Sequence, residues 1–136
     1  MAATLKLEIV TPLAKIFSED VEMVTITGVD GEMGILPQHM PLMTQLATGE
    51  INARKDGKNI FLAVGEGFVQ VTREQVSILT DMAIKSDDIY EAKAEEARQK
   101  AEQRLTQKLS DEETATVQAA LMHAMTQLTV KRRRHL

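Results

Sequence analysis

The chain has 136 residues and no cysteine. Disulfides, thiolate metal sites and a cysteine nucleophile are therefore excluded, and the composition fits a reducing compartment. Apolar runs are short, far below the roughly 20 residues of a membrane-spanning helix. The opening MAATLKLEIV reads as a strand and lacks the long apolar core of a signal peptide. No G-x-S-x-G and no G-x-x-x-x-G-K-S/T occurs, and Gly65-Glu66-Gly67 lacks the third glycine of a dinucleotide fingerprint. His39, His123 and His135 are not at metal-ligand spacing. His123 reads as a helix-surface residue and His39 as a structural or interface histidine. No catalytic residue, metal or cofactor is expected.

Glycine and proline are also missing from the second half. All seven glycines and all three prolines lie between Pro12 and Gly67. They concentrate in Gly28–Leu42, where Asp30-Gly31 signals a tight turn with positive backbone angles. Gly34, Pro37 and Pro41 punctuate the segment that follows, and Glu32 should face solvent. Rigid polar tips of this kind often carry binding or catalysis.

The first 85 residues read as short strands. Leu5, Leu7 and Ile9 alternate with Lys6 and Glu8, and Val24 and Ile26 share a face. Asp56-Gly57 marks a hairpin between 51–55 and 58–64, and Phe61–Val64, apolar on both faces, predicts a central strand. Regularly spaced short strands suggest an antiparallel sandwich or barrel. From Ser86 the period becomes helical. Ser86 is placed to cap a helix with Asp87 and Asp88 in its first turn. Tyr90, Ala94, Ala97, Ala101, Leu105 and Leu109 form its stripe. Ser110-Asp111-Glu112-Glu113 is a capping box opening a second helix with a Val117, Leu121, Ala124, Leu128 seam. The fold class is α+β: a β-domain over 1–85 and an antiparallel two-helix hairpin over 86–136. An alanine stripe buries little apolar area, so the hairpin is expected to dock weakly and to be able to leave the sandwich.

Net charge is −4. Residues 1–85 hold 11 acids and 7 bases, whereas 86–136 hold nine of each and end on the basic block Lys131-Arg132-Arg133-Arg134. Nucleic-acid binding is not expected of the body. The block has two readings, a solvated helix end satisfying the dipole or a dock for an acidic protein surface.

The run Gly31-Glu32-Met33-Gly34-Ile35-Leu36-Pro37-Gln38-His39-Met40-Pro41-Leu42 is the most specific motif in the chain. With Gly65–Val69, Val76–Asp81 and the two-helix tail around Lys100-Ala101-Glu102, it resembles the epsilon subunit of bacterial F-type ATP synthase. That resemblance implies a ten-stranded β-sandwich and a helical hairpin in a non-catalytic rotor subunit of the central stalk. It implies coupling of proton-driven rotation to the catalytic head, at the cytoplasmic face of the bacterial plasma membrane and peripheral to it. The implied c-ring contacts are Gly31, Glu32 and Met33. The implied gamma contacts are Thr11, His39 and Thr44. The hairpin would extend to the catalytic alpha and beta subunits and inhibit ATP hydrolysis, with Lys131, Arg132, Arg133 and Arg134 meeting an acidic segment. Some relatives bind ATP through I/L-D-x-x-R-A, which here reads Ile89-Tyr90-Glu91-Ala92-Lys93-Ala94. Lys93 lacks the planar fork of arginine, so useful ATP binding at Ile89, Lys93 and Ala94 is not expected. Two other classes stay open: a free-standing β-domain interaction module or enzyme using His39 and Glu32, and an adaptor whose basic tail binds nucleic acid.

Overall fold

A computed structural model describes residues 3–133. Ten strands come first: β1 (Leu5–Val10), β2 (Lys15–Val21), β3 (Met23–Gly28), β4 (Gly31–Ile35), β5 (Leu42–Leu46), β6 (Gly49–Lys55), β7 (Lys58–Val64), β8 (Gly67–Val71), β9 (Gln75–Thr80) and β10 (Ala83–Lys85). A 3₁₀ turn (Ser86–Asp88), α1 (Glu91–Leu105) and α2 (Asp111–Arg133) follow.

The strands make two five-stranded layers. One runs β4-β3-β6-β7-β10 and the other β5-β8-β9-β1-β2. They are joined where Gly28 of β3 pairs with Leu46 of β5. Pairing is antiparallel except between β1 and β9, which run parallel. A parallel pair needs a long connection, and here most of the sandwich supplies it. One face of each layer is apolar, as the period-two pattern requires. Leu5, Leu7 and Ile9 meet Val24, Ile26, Ile51, Leu62, Val69 and Ile78 in one buried core.

Turn chemistry fixes the registers. Lys55 pairs with Lys58 across Asp56 (φ 52°) and Gly57 (φ 75°), the geometry the Asp-Gly signal predicts. In the β3–β4 hairpin, Gly28 pairs with Gly31 and the turn residues are Val29 and Asp30. The positive angle there falls on Gly31 alone (φ 125°), not on Asp30. Gly67 is required for a different reason. A Cβ on it would lie 1.9 Å from the Leu79 carbonyl oxygen, so β8 and β9 pair this closely only around glycine.

Three expectations are corrected. β7 is second from the edge of its layer rather than central. It is apolar on both faces because Leu62 and Val64 point into the core while Phe61 and Ala63 lie under α2. The first helix begins at Glu91, not just after Ser86, and Tyr90 stands at its N-cap with no side-chain cap. Ile89 is the reason. It packs with Ala63 and Val130, and reaching that cluster keeps Ile89 and Tyr90 extended (ψ 124° and 105°). Tyr90 and Ala97 accordingly fall off the expected stripe and are exposed, and the seam keeps Ala94 and Ala101 against Val117, Ala124 and Leu128.

The second helix starts as its capping box dictates. The Glu113 N–H donates to Ser110 Oγ at 3.2 Å and Ser110 Oγ lies 3.0 Å from Glu113 Oε1. Only α2 reaches the strands with substance, touching β7, β6 and the 3₁₀ turn, whereas α1 packs on α2. The apolar anchor is small: Ala63, Ile89 and Val130, flanked by Phe61, Met82 and Ile84.

Candidate interaction surfaces

The sandwich has two opposite ends and one uncovered face. At one end sits the β3–β4 tip, where Gly31 and Glu32 are exposed and Met33 is half-buried against the core. Glu32 faces Thr27 across the hairpin, and the next pair inward sets Ile26 against Met33. Thr11 lies at the same end, in the turn between β1 and β2. Its N–H donates to the Ala14 carbonyl at 2.9 Å and its hydroxyl lies 3.3 Å from the N–H groups of Leu13 and Ala14. This local bonding presents Leu13 almost fully to solvent (96%).

His39 is at the other end. The Gln38 N–H donates to the Arg73 carbonyl, and Gln38 takes a left-handed angle (φ 68°) that turns the chain at Pro37. His39 Nδ1 lies 2.8 Å from the Met40 carbonyl oxygen, so that ring nitrogen is engaged locally. Thr44 sits mid-strand on β5, paired with buried Val69, and is half-buried on the core-facing side. Thr11, His39 and Thr44 are thus spread along one layer rather than gathered at a point. Glu32 and His39 lie at opposite ends of β4, which removes a shared catalytic geometry for them.

Sequence reasoning missed the surface between these points. On the outer face of the second layer, Gln45, Phe68, Leu79 and Val10 are consecutive cross-strand partners on β5, β8, β9 and β1. Phe68 and Leu79 are more than half exposed, and Met43 extends the apolar row. The signal was present as two broken alternations. Phe68 precedes buried Val69, and Leu79 follows buried Ile78, so apolar residues occupy positions where a solvated face would place polar ones. A cleft of about 430 Å³, lined by Val10, Thr11, Leu79 and Thr80 among others, continues the row to the β1–β2 turn.

The helical side has a different character. His123 is not a plain helix-surface residue. It lies at the seam between α2 and the sandwich, with Nε2 3.3 Å from Asp81 Oδ2. Gly65 makes room for it, since a Cβ there would be 1.9 Å from Asp81 Oδ1 and 2.9 Å from His123 Nε2. At the end of α2, Lys131 Nζ donates to the Ser86 carbonyl (3.1 Å), Arg132 to Glu91 (2.8 Å) and Glu95 (3.3 Å), and Arg133 to Glu50 (3.0 Å). The pairing with Glu91, then that with Glu95, raises the Arg132 pKa above its ordinary value. Glu95 is held below the usual carboxylate range, first by its hydrogen bond to Arg98 and then by Arg132. Arg134 lies outside the described residues. Of the positions matching the ATP-binding motif of some relatives, Ile89 and Ala94 are buried and Lys93 holds its ammonium 5.5 Å from the centroid of Tyr90. Among the described residues, no three His, Asp or Glu side chains cluster so as to hold a metal ion, and no helix is long and apolar enough to cross a membrane.

Comparison with known proteins gives a consistent result along the chain. Residues 4–86 match the family model "ATP synthase, Delta/Epsilon chain, beta-sandwich domain", and residues 87–132 match the long alpha-helix domain of the same chain. The ATP synthase epsilon chain of Desulforamulus reducens is 40% identical over 128 residues, covering 94% of this chain and 97% of that one. The epsilon chain of Herpetosiphon aurantiacus is 41% identical over 130 residues, covering 96% of each. Among solved structures, a chain of the Euglena gracilis mitochondrial ATP synthase (OSCP/F1/c-ring) superposes with a TM-score of 0.73 at 26% identity, covering 93% of this chain and 80% of that one. A chain from the central stalk and c-ring of the Tetrahymena thermophila enzyme shares the fold, with a TM-score of 0.60 at 12% identity, covering 99% and 98%.

Proposed function

The chain belongs to the family of ATP synthase delta and epsilon chains, as an epsilon subunit of the rotor stalk, and from that premise we propose how its surfaces divide the work. Residues 1–85 bind gamma and the c-ring, residues 86–136 regulate, and the chemistry belongs to other subunits. The observation that carries this reading is the uncovered apolar row Val10, Leu79 and Phe68. A water-exposed sheet face with a phenylalanine and a leucine side by side is suited to be covered by a protein partner.

Gamma is that partner. It covers the outer face of the second layer, with Thr11 and His39 at the two ends of the contact, and it reaches Thr44, whose side chain turns toward the core, from the open edge of β5. Leu13 stands beside Thr11 as an apolar anchor. The β3–β4 tip, Gly31, Glu32 and Met33, meets the polar loops of the c-ring. Phe68→Asp tests the face. Phe68 is more than half exposed, so the loss of strand propensity and of its pairing with Leu79 should cost about 1–2 kcal/mol and leave the sandwich folded. Copurification with gamma should be lost. Retained copurification at unchanged affinity would refute the assignment.

The hairpin inhibits ATP hydrolysis by leaving the sandwich, extending along gamma and offering its basic end to the catalytic alpha and beta subunits. The thin anchor of α2 and the absence of a substantial α1–sheet contact support this, because release uncovers little apolar area. The assembled head should hydrolyse ATP faster when residues 87–136 are deleted. Equal rates with and without them would remove the inhibitory half of the reading. The site of action is the membrane-associated complex, at the cytoplasmic face of the bacterial plasma membrane, with no direct membrane contact of this chain.

A further inference from the structure

The cations that end α2 are already occupied in the folded hairpin. Successive residues on an α-helix point roughly 100° apart. Lys131, Arg132 and Arg133 therefore reach three sides of the helix, and each finds a different element. Lys131 donates to the carbonyl of Ser86 in the linker turn. Arg132 bridges to Glu91 and Glu95 of α1. Arg133 bridges to Glu50 of β6. Linker, first helix and sheet are the three parts whose relative placement defines the folded state.

We propose that this basic segment is an ionic latch: the chain's own carboxylates Glu91, Glu95 and Glu50 hold it in the folded hairpin, so that internal closure and capture by an external acidic protein surface exclude each other. The inference rests on the inhibitory reading above for what captures the freed cations, but the latch itself belongs to the isolated chain. The geometry favours arginine at position 132. Its guanidinium spans two carboxylates one helical turn apart, using Nε for Glu91 and Nη2 for Glu95, which a lysine point charge does not reproduce. Exposed ion pairs are individually weak and screened by salt, which suits a latch that must open.

The test uses the full-length isolated subunit and a double-mutant cycle between Arg132→Gln and Glu91→Gln. Hydrogen exchange of the α1 amides reads the opening constant, and exchange of the core strands serves as the folding control. Each single variant should raise hairpin opening about two- to five-fold with unchanged core exchange. The double variant should open no more than the larger single, because both remove the same pair. Raising salt from about 50 to 500 mM should speed α1 exchange in the parent chain and have less effect in the double variant. Singles that exchange like the parent, or strictly additive effects in the double, would overturn the latch. Arg133→Gln supplies an independent arm through Glu50, again expected to raise opening. Since no partner is present in these measurements, their failure would leave the ATPase test of inhibition untouched.

Discussion

Val130→Ala separates the docking of the hairpin from everything else in the molecule. Val130 is buried on the last turns of α2, against Ala63 of β7 and Ile89 of the linker. The substitution removes two methyl groups from that contact. At about 0.8 kcal/mol per buried carbon, the transfer loss is roughly 1.6 kcal/mol, and the unfilled space adds a few tenths. Alanine is the better helix former, so any loss reports docking and not helix propensity. A cost of about 2 kcal/mol raises the opening constant of the hairpin about thirty-fold. Native-state hydrogen exchange is the assay. Amides of α1 and α2 should exchange about thirty-fold faster, while those of β1, β3 and β8 keep the parent rate. If the released state is the inhibitory one, as proposed above, the same variant should inhibit hydrolysis more strongly in the assembled enzyme. Equal loss of protection in helices and core strands would refute the reasoning. It would mean that the hairpin and sandwich open only as one cooperative unit, leaving no detachable element.

Gly67→Ala should destabilise the sandwich by about 3 kcal/mol or more, seen as a large fall in thermal midpoint, because backbone atoms of β9 occupy the space its Cβ needs. Acid should loosen both parts of the molecule. Glu8, bonded first of all to Lys15, and Glu95, bonded first of all to Arg98, have folded-state pKa values below the ordinary glutamate value. Their contribution is therefore complete above that ordinary value of about 4.3 and is lost as pH falls through the depressed one, which exchange rates measured across pH 5 to 2 would follow. Titration of the isolated subunit with ATP should give no saturable heat at the 89–94 segment, since Ile89 and Ala94 are buried and Lys93 is drawn over Tyr90. Tight, specific binding would contradict that reading.

Local chemistry made much of the architecture legible. The alternation in β1, the Asp56-Gly57 turn and the Ser110–Glu113 capping box are decided by neighbours within a few residues, and each is met in the expected place. The start of α1 was not legible, because it depends on where Ile89 must go. The local signal, a serine followed by two aspartates, predicts a cap at Ser86, but Ala63 and Val130, far away in sequence, draw Ile89 into a contact that an immediate helix would forbid. The apolar row was hidden for a similar reason. Phe68 and Leu79 each read as an ordinary break in alternation, and only the β8–β9 register puts them side by side.

What the sequence alone determined, then, is the division into a β-domain and a helical hairpin, the tight turn at Asp56-Gly57, and membership suggested by one long motif. These follow from backbone sterics and side-chain period, which are properties of short segments. The tertiary structure decided which faces are covered and which are left open. It placed the two-sided apolarity of β7 beneath α2, set His123 against Asp81 across Gly65, and gave each of three consecutive cations a partner on a different element. Those outcomes depend on pairs of residues dozens of positions apart, whose proximity is fixed only when strand order and helix docking are fixed.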